Sequence, residues 1–254
     1  MRMWTKIAAP LTAVFLGLAG AASASAAEIV LVTTNAVEQI LRDLVPVFER
    51  STGHTIRMSV YGTALAVAKL KDNSEVPDLV LLSPAALSDL ARAGKVTADT
   101  ITDAFRSRVG LAVRAGAPKP DIGTADAFKA TLLSAKTIGH SIGPSGEYFS
   151  TELIQRLGIA EALKPKITVV RGRPVAAAVA AGEVDIGIHQ IAELMQVGGI
   201  DIVGPLPADL QKTIIYATGL ATMAKQPEAA KAFAKFLSTE AAVPAIKKNG
   251  MDPA

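Results

Sequence analysis

The feature that most constrains this chain is a unit that keeps returning: a short β-branched run, a break of small polar residues, then an amphipathic helix. Glu28-Ile29-Val30-Leu31-Val32 reads as a buried strand and Thr33-Thr34-Asn35 as the break. Ala36 to Arg50 then carries apolar residues at Val37, Ile40, Leu41, Leu44, Val47 and Phe48, the stripe of a helix packed on one face. The unit recurs at Ile56–Val60, Tyr61-Gly62-Thr63 and Ala64–Lys71, and at Leu79–Leu82, Ser83-Pro84 and Ala85–Ala93. Further on, Thr137-Ile138-Gly139 leads through His140 to Gly143-Pro144-Ser145-Gly146 and a helix over Glu147–Leu157. Ile167–Val170 leads through Arg171-Gly172-Arg173 to Pro174, placed at the first turn of a helix ending near Ala181. Val184–Ile188 leads through His189-Gln190 to a helix around Met195. Alternation of this kind specifies an α/β protein with mostly parallel sheets flanked by helices.

Two segments break the rhythm. Ser107–Arg114 and Thr213–Met223 are long strand-like runs, and the block between them has strands and helices of its own. A chain that leaves one α/β lobe, builds a second and then returns has two lobes joined by a double-strand hinge. The expected division is residues 27–109 plus 220–254 for the first lobe and 110–219 for the second.

The N-terminus reads as an address. Arg2 and Lys6 precede an apolar run, Ile7–Ala22, and Ala24-Ser25-Ala26 has the spacing that signal peptidase accepts. The run is short for a bilayer anchor and ends in Ala and Ser rather than in charge. Residues 1–26 are therefore expected to be a cleaved signal peptide, and the mature protein a soluble periplasmic globule. The whole chain has 26 basic and 23 acidic residues. Without the leader's two basic residues the count is 24 against 23, a net of +1, which argues against a nucleic-acid partner. The absence of cysteine excludes disulfides, thiolate metal sites and a cysteine nucleophile.

In open α/β sheets, ligands bind beyond the carboxyl ends of the strands. Here that edge carries Thr33-Thr34-Asn35, Tyr61-Gly62-Thr63, Gly143-Pro144-Ser145-Gly146 and Arg171-Gly172-Arg173-Pro174, each opening a helix. The first N–H groups of a helix lack intrahelical partners and sit at its positive end. One such turn is ordinary capping; four around a hinge point to an anion site. Arg171 and Arg173 add guanidinium forks suited to carboxylates. Catalytic templates are missing: Glu147 after Gly146 breaks G-x-S-x-G, and no zincin, Walker or EF-hand motif occurs. His54, His140 and His189 are too scattered for a metal cluster, so neither metal nor cofactor is expected.

The chain resembles the periplasmic molybdate-binding proteins of ABC importers, a branch of the type 2 solute-binding superfamily. The resemblance is carried by Pro77-Asp78-Leu79-Val80-Leu81, Pro144-Ser145-Gly146-Glu147-Tyr148, Leu157–Lys166, Gly182–Ile188 and Pro227–Phe233. It implies a small anion held between two lobes and a membrane permease as partner; the sequence shows no sign of oligomerisation, so a monomer is expected. Mapped onto this sequence, the family's ligand positions fall beside Asn35 and at Ala36, Thr63, Ser145, Val175 and Gln190. Ala36 and Gln190 change the donor type, and Arg171 and Arg173 stand nearby, so a carboxylate-bearing anion is as open as molybdate. The related aconitate isomerase implies a second reading, cofactor-free allylic proton transfer between trans- and cis-aconitate. His140, His189, Glu147 and Tyr61 are then the candidate acid–base groups.

Overall fold

The computed structural model describes residues 26–254. The expected leader lies outside them apart from Ala26. The first half of the fold opens with β1 (Glu28–Thr34), a 3-10 turn at Asn35–Val37, α1 (Glu38–Thr52), β2 (Thr55–Tyr61), α2 (Thr63–Lys71), β3 (Leu79–Leu82) and α3 (Pro84–Arg92). Then comes β4 (Thr102–Arg114), which runs for 13 residues. The second half continues with α4 (Ala125–Ser134), β5 (Ile138–His140) and α5 (Pro144–Glu147). A π-helical stretch, Tyr148–Leu153, leads from α5 into α6 (Ile154–Arg156). Next come α7 (Ala160–Leu163), β6 (Ile167–Val169), α8 (Val175–Ala180), β7 (Ile186–Gln190), α9 (Ile191–Leu194) and β8 (Ile200–Pro205). The chain returns through β9 (Thr213–Leu220) to α10 (Pro227–Phe236), α11 (Val243–Lys248) and β10 (Met251–Pro253).

The strands form one sheet in the order β2-β1-β3-β9-β4-β7-β5-β6, with β8 and β10 also on β4. Each half has a parallel core, β2-β1-β3 in the first and β6-β5-β7 in the second. The strands that join them pair antiparallel: β9 with β3 and β4, and β7, β8 and β10 with β4. β4 changes partners along its length. Thr102–Arg108 pairs with β9, whereas Val109–Val113 pairs with β7. Thr213–Leu220 pairs wholly with first-half strands, so the division expected at 219/220 falls inside β9. Pro174, expected at the first helical turn, is instead the extended N-cap of α8 (ψ 140°).

Burial follows from helices covering both faces. All four residues of β3 are buried, as a two-sided parallel strand requires. Phe48 of α1 meets Phe233 of α10 edge-on at 5.0 Å and Phe236 at 5.5 Å, which locks the returning C-terminal helix onto the first half. α1 ends at Gly53, whose left-handed φ of 75° lets its N–H return to Glu49.

A buried carboxylate ties these pieces together. Asp78, just before β3, accepts Val30 N at 2.8 Å through one oxygen. Its other oxygen accepts Lys225 N and Gln226 N at 2.6 and 2.8 Å, at the start of α10. One side chain thus joins β1, β3 and the returning segment. Asp78→Ala orphans three amide donors and is expected to cost at least about 3 kcal/mol of stability, read from urea unfolding. A loss under 1 kcal/mol would show that these donors find other partners.

Candidate functional site

The carboxyl ends of both parallel cores deliver short turns and helix starts. From the first half come Asn35 and Ala36, directly after β1, and Thr63, the first residue of α2 after its extended N-cap Gly62. Asn35 and Thr63 are exposed and Ala36 half-buried. From the second half come Ser145 in the first turn of α5, Val175 at the start of α8, and Gln190 at the end of β7, all three buried. Ala36, Gln39 and Ile40 line a small crevice with Ala192 of α9 and Gln196 just beyond it, so α9 lies where the halves meet. A groove of about 290 Å³, bordered by Val113, Arg114, Pro118, Gly182 and Val184, opens instead near the amino end of β7 and touches none of these turns.

The other expected residues are placed differently. The Tyr61 hydroxyl donates to Glu75 at 2.8 Å, and Lys69 sits over its ring, so this phenol is engaged within the first half. Arg173 directs two guanidinium nitrogens onto the two carboxylate oxygens of Glu183. The fork foreseen for a ligand is closed on a neighbouring acid. Arg171 is exposed, with no ion-pair partner among the described residues, and Gly172 between them adopts φ 69°. Glu147 is exposed at the end of α5.

The two buried histidines take opposite tautomers. His140 Nδ1 donates to the Ser141 carbonyl at 2.7 Å, which leaves Nε2 without a proton, and that buried atom has no hydrogen-bond partner. The ring packs on Phe149 at 5.4 Å. It also lies so close to α5 that a Cβ on Gly146 would sit 2.8 Å from Nδ1 and 1.8 Å from the Ser141 oxygen. The Ser145 hydroxyl is likewise buried without a partner. His189 Nδ1 instead accepts the Gln190 N–H at 2.8 Å, so its proton resides on Nε2.

Around Gln190 lies a chain of polar side chains absent from the sequence reading. The Tyr216 hydroxyl, on β9, donates to Gln190 Oε1 at 3.1 Å. Gln190 Nε2 donates to Glu193 Oε1 at 2.7 Å, and that oxygen stands 3.6 Å from His189 Nδ1. Burial sets the charges. It pushes His189 down to about 4, helped by the neighbouring His140, and pushes Glu193 up to about 7. Burial also lowers His140 and, with the Glu193 carboxyl nearby, raises the Tyr216 phenol. At neutral pH both imidazoles are uncharged, and Glu193 is poised between its two forms. Sequence reasoning missed Glu193 because an acid in a first helical turn reads as a complement to the helix dipole.

A sequence model of the bacterial extracellular solute-binding proteins matches residues 29–252. An aconitate isomerase from Pseudomonas sp. is 36% identical over 217 residues, covering 84% of this chain and 83% of that protein. In three dimensions the chain resembles the periplasmic molybdate-binding protein of Azotobacter vinelandii (TM-score 0.70, 19% identity, 89% of this chain and 99% of that one). It is similar to PEB3 with L-phospholactate bound (TM-score 0.69, 18% identity, 89% and 100%). These two structural likenesses establish the type 2 periplasmic binding-protein fold. Among the described residues no cluster of ligands suits a metal ion, and no helix is long and apolar enough to cross a membrane.

The titrations have a signature in stability. His189 is neutral when folded down to about 4 but takes a proton near 6.5 when unfolded. Its contribution is present above 6.5 and lost as pH falls towards 4, and His140 adds in the same direction. Glu193 acts oppositely: folded, it holds its proton up to about 7, and unfolded it sheds it near 4.5. Its contribution is present below 4.5 and lost as pH rises to 7. Glu193→Gln removes only the second effect, so stability of the variant rises from pH 5 to 6.5 by up to about 1.4 kcal/mol per unit through His189, with His140 adding in the same direction. The unsubstituted protein follows a flatter course. Urea midpoints at the two pH values measure both slopes, and equal slopes would contradict this charge assignment.

Proposed function

The chain belongs to the bacterial extracellular solute-binding protein family, and from that premise we propose that it binds a small carboxylate-bearing anion between its two halves. On this reading it works in the periplasm after removal of the leader and passes its ligand to a membrane permease. What supports the proposal is that turns and helix starts follow the carboxyl ends of two parallel strand cores, one on either side of β4 and β9. Ala36, Thr63 and Val175 offer backbone N–H groups, Ser145 an N–H and a buried hydroxyl without a partner, and Asn35 a side-chain amide. Arg171 supplies the fork at the rim. Closing the halves expels water, so each donor acts at a lower effective dielectric.

A thermal-shift panel of molybdate, tungstate, sulfate, phosphate, citrate and both aconitates tests the class. A true ligand at 100 times its dissociation constant adds about 2.7 kcal/mol of stability. A carboxylate is expected to stand out; a response to molybdate alone would move the site to the tetrahedral oxyanions. With the responding carboxylate, Arg171→Ala should weaken binding by about 1.5–3 kcal/mol, the range for a charged hydrogen bond. Arg173→Ala should change affinity far less, because its fork is already closed on Glu183. The reverse ranking would place Arg173, freed from Glu183, at the ligand.

A second reading is supported by the 36% identity to the Pseudomonas aconitate isomerase. On it the same cleft moves an allylic proton of bound aconitate, using groups that burial keeps near neutrality. Incubation of the pure protein with trans-aconitate, followed by chromatography, separates the readings: cis-aconitate appears with turnover, whereas a binder leaves the substrate unchanged.

A further inference from the structure

Glu193 is a titratable group at the meeting of the two halves that the sequence reading did not use. It sits in the first turn of α9, just past the carboxyl end of β7. The neighbouring residues Ala192 and Gln196 of that segment face Ala36, Gln39 and Ile40 of the first half. Its two oxygens differ. Oε1 accepts the amide proton of Gln190, whose own carbonyl is held by Tyr216. No hydrogen bond among the described residues reaches Oε2, and the side chain keeps 31% of its exposure. A carboxyl arranged in this way has a satisfied, carbonyl-like oxygen on the inside and an oxygen able to carry a proton on the accessible side.

Among the described residues, burial alone shifts Glu193 and no cation holds it ionised. From β7, His189 presents an Nδ1 already taken by the Gln190 N–H. From β9, Tyr216 presents a hydroxyl directed at Gln190. On β4, Arg108 is paired with Asp252 of β10. On β8, Asp201 binds Gly116 N and Lys119 at the far end of the strand, and α8 is wholly apolar. Burial therefore acts unopposed, in keeping with the raised value of about 7.

We infer that protonated Glu193 is a ligand contact, donating its Oε2 proton to a carboxylate oxygen of the anion bound between the halves. This rests on the carboxylate-binding reading and adds the group that recognises charge through a proton rather than through a cation. An ionised Glu193 would repel the same anion, and an anion beside it holds the proton more tightly. Binding is then linked to the uptake of one proton. Affinity is highest where Glu193 is already protonated and falls close to tenfold per pH unit once it is not. Glutamine mimics the protonated acid, because it keeps one acceptor oxygen and turns an N–H donor to the same side.

The test is calorimetric titration of trans-aconitate into the mature protein at pH 7, 8 and 9, a range in which ordinary carboxyl groups of the ligand stay ionised. The unsubstituted protein should lose close to tenfold in affinity between pH 8 and 9. Glu193→Gln should hold its pH 7 affinity across the range. Titrations of the unsubstituted protein at pH 8 in phosphate and in Tris, whose ionisation heats differ, should show close to one proton taken up per ligand bound. That second measurement requires no variant to fold. Binding that is independent of pH, proton uptake near zero, or a Glu193→Gln variant that declines in parallel with the unsubstituted protein would each overturn the inference while leaving the carboxylate reading in place. Absence of heat with trans-aconitate and with citrate at every pH would remove that reading and the inference with it.

Discussion

The fold depends on one strand whose backbone serves two sets of partners in succession. β4 gives the ladder of its first seven residues to β9, and from Val109 onward gives it to β7 and β8. A strand cannot change its direction between those partners. The orientation of the first parallel core, set through β9 and β3, therefore fixes that of the second, set through β7 and β5. That shared constraint points the carboxyl ends of β1 and β2 and those of β5, β6 and β7 toward one another along β4. No single turn contains the information; the hydrogen-bond register of the connecting strand does.

At that edge the chemistry is governed by burial more than by opposed charges. Arg173, the most conspicuous cation in the sequence, is spent on Glu183 in an exposed pair, an arrangement that contributes little to stability. The buried groups are kept close to neutral instead. Two imidazoles are uncharged in opposite tautomers, and the one acid among them has a pKa near 7. On the proposed reading, such a site would recognise an anion through dipoles and protons. A neutral site of this kind selects for shape and for the placement of acceptor oxygens more than for total charge.

Much of this was legible in the sequence, for identifiable reasons. Strands β1 and β3 and helix α1 announced themselves because burial on two faces, or on one stripe, leaves a periodic apolar signature. β8 and β10 left almost none. β8 is half-buried along most of its length and ends at Gly204-Pro205, and β10 is three residues long and ends in proline. Both are held by β4 rather than by local preference. The turns and helix starts after the strands were legible because they have sequence signals. The Tyr216–Gln190–Glu193 chain was not, since it joins residues on β7, α9 and β9 that only tertiary pairing brings within hydrogen-bond reach. Tyr61 ends β2 and Arg173 lies in the turn before α8, but Glu75 and Glu183 lie 14 and 10 residues away and capture them, which no spacing rule foretells.

The two crossings between the halves are built differently, and the difference bears on how a cleft of this kind closes. β4 is laddered on both sides of its change of partner. The returning segment is held through side chains of the second half: the Tyr148 hydroxyl donates to the Leu210 carbonyl at 2.6 Å, Arg156 to the Asp209 carbonyl at 3.0 Å, and Lys212 pairs with Glu152. Tyr148 and Glu152 belong to the π-helical stretch that follows directly on the Pro144-Ser145-Gly146 turn. The returning segment is therefore coupled to that turn up to Lys212, and to the first half from Thr213 onward, where β9 begins. Thr213 stands opposite Arg108, one residue before β4 changes partners. Both crossings thus pass from one half to the other at the same level. A rotation about that level changes the separation of the helix starts without breaking the strand pairing within either half, as a binding cleft needs if its donors are to stay rigid while its mouth opens.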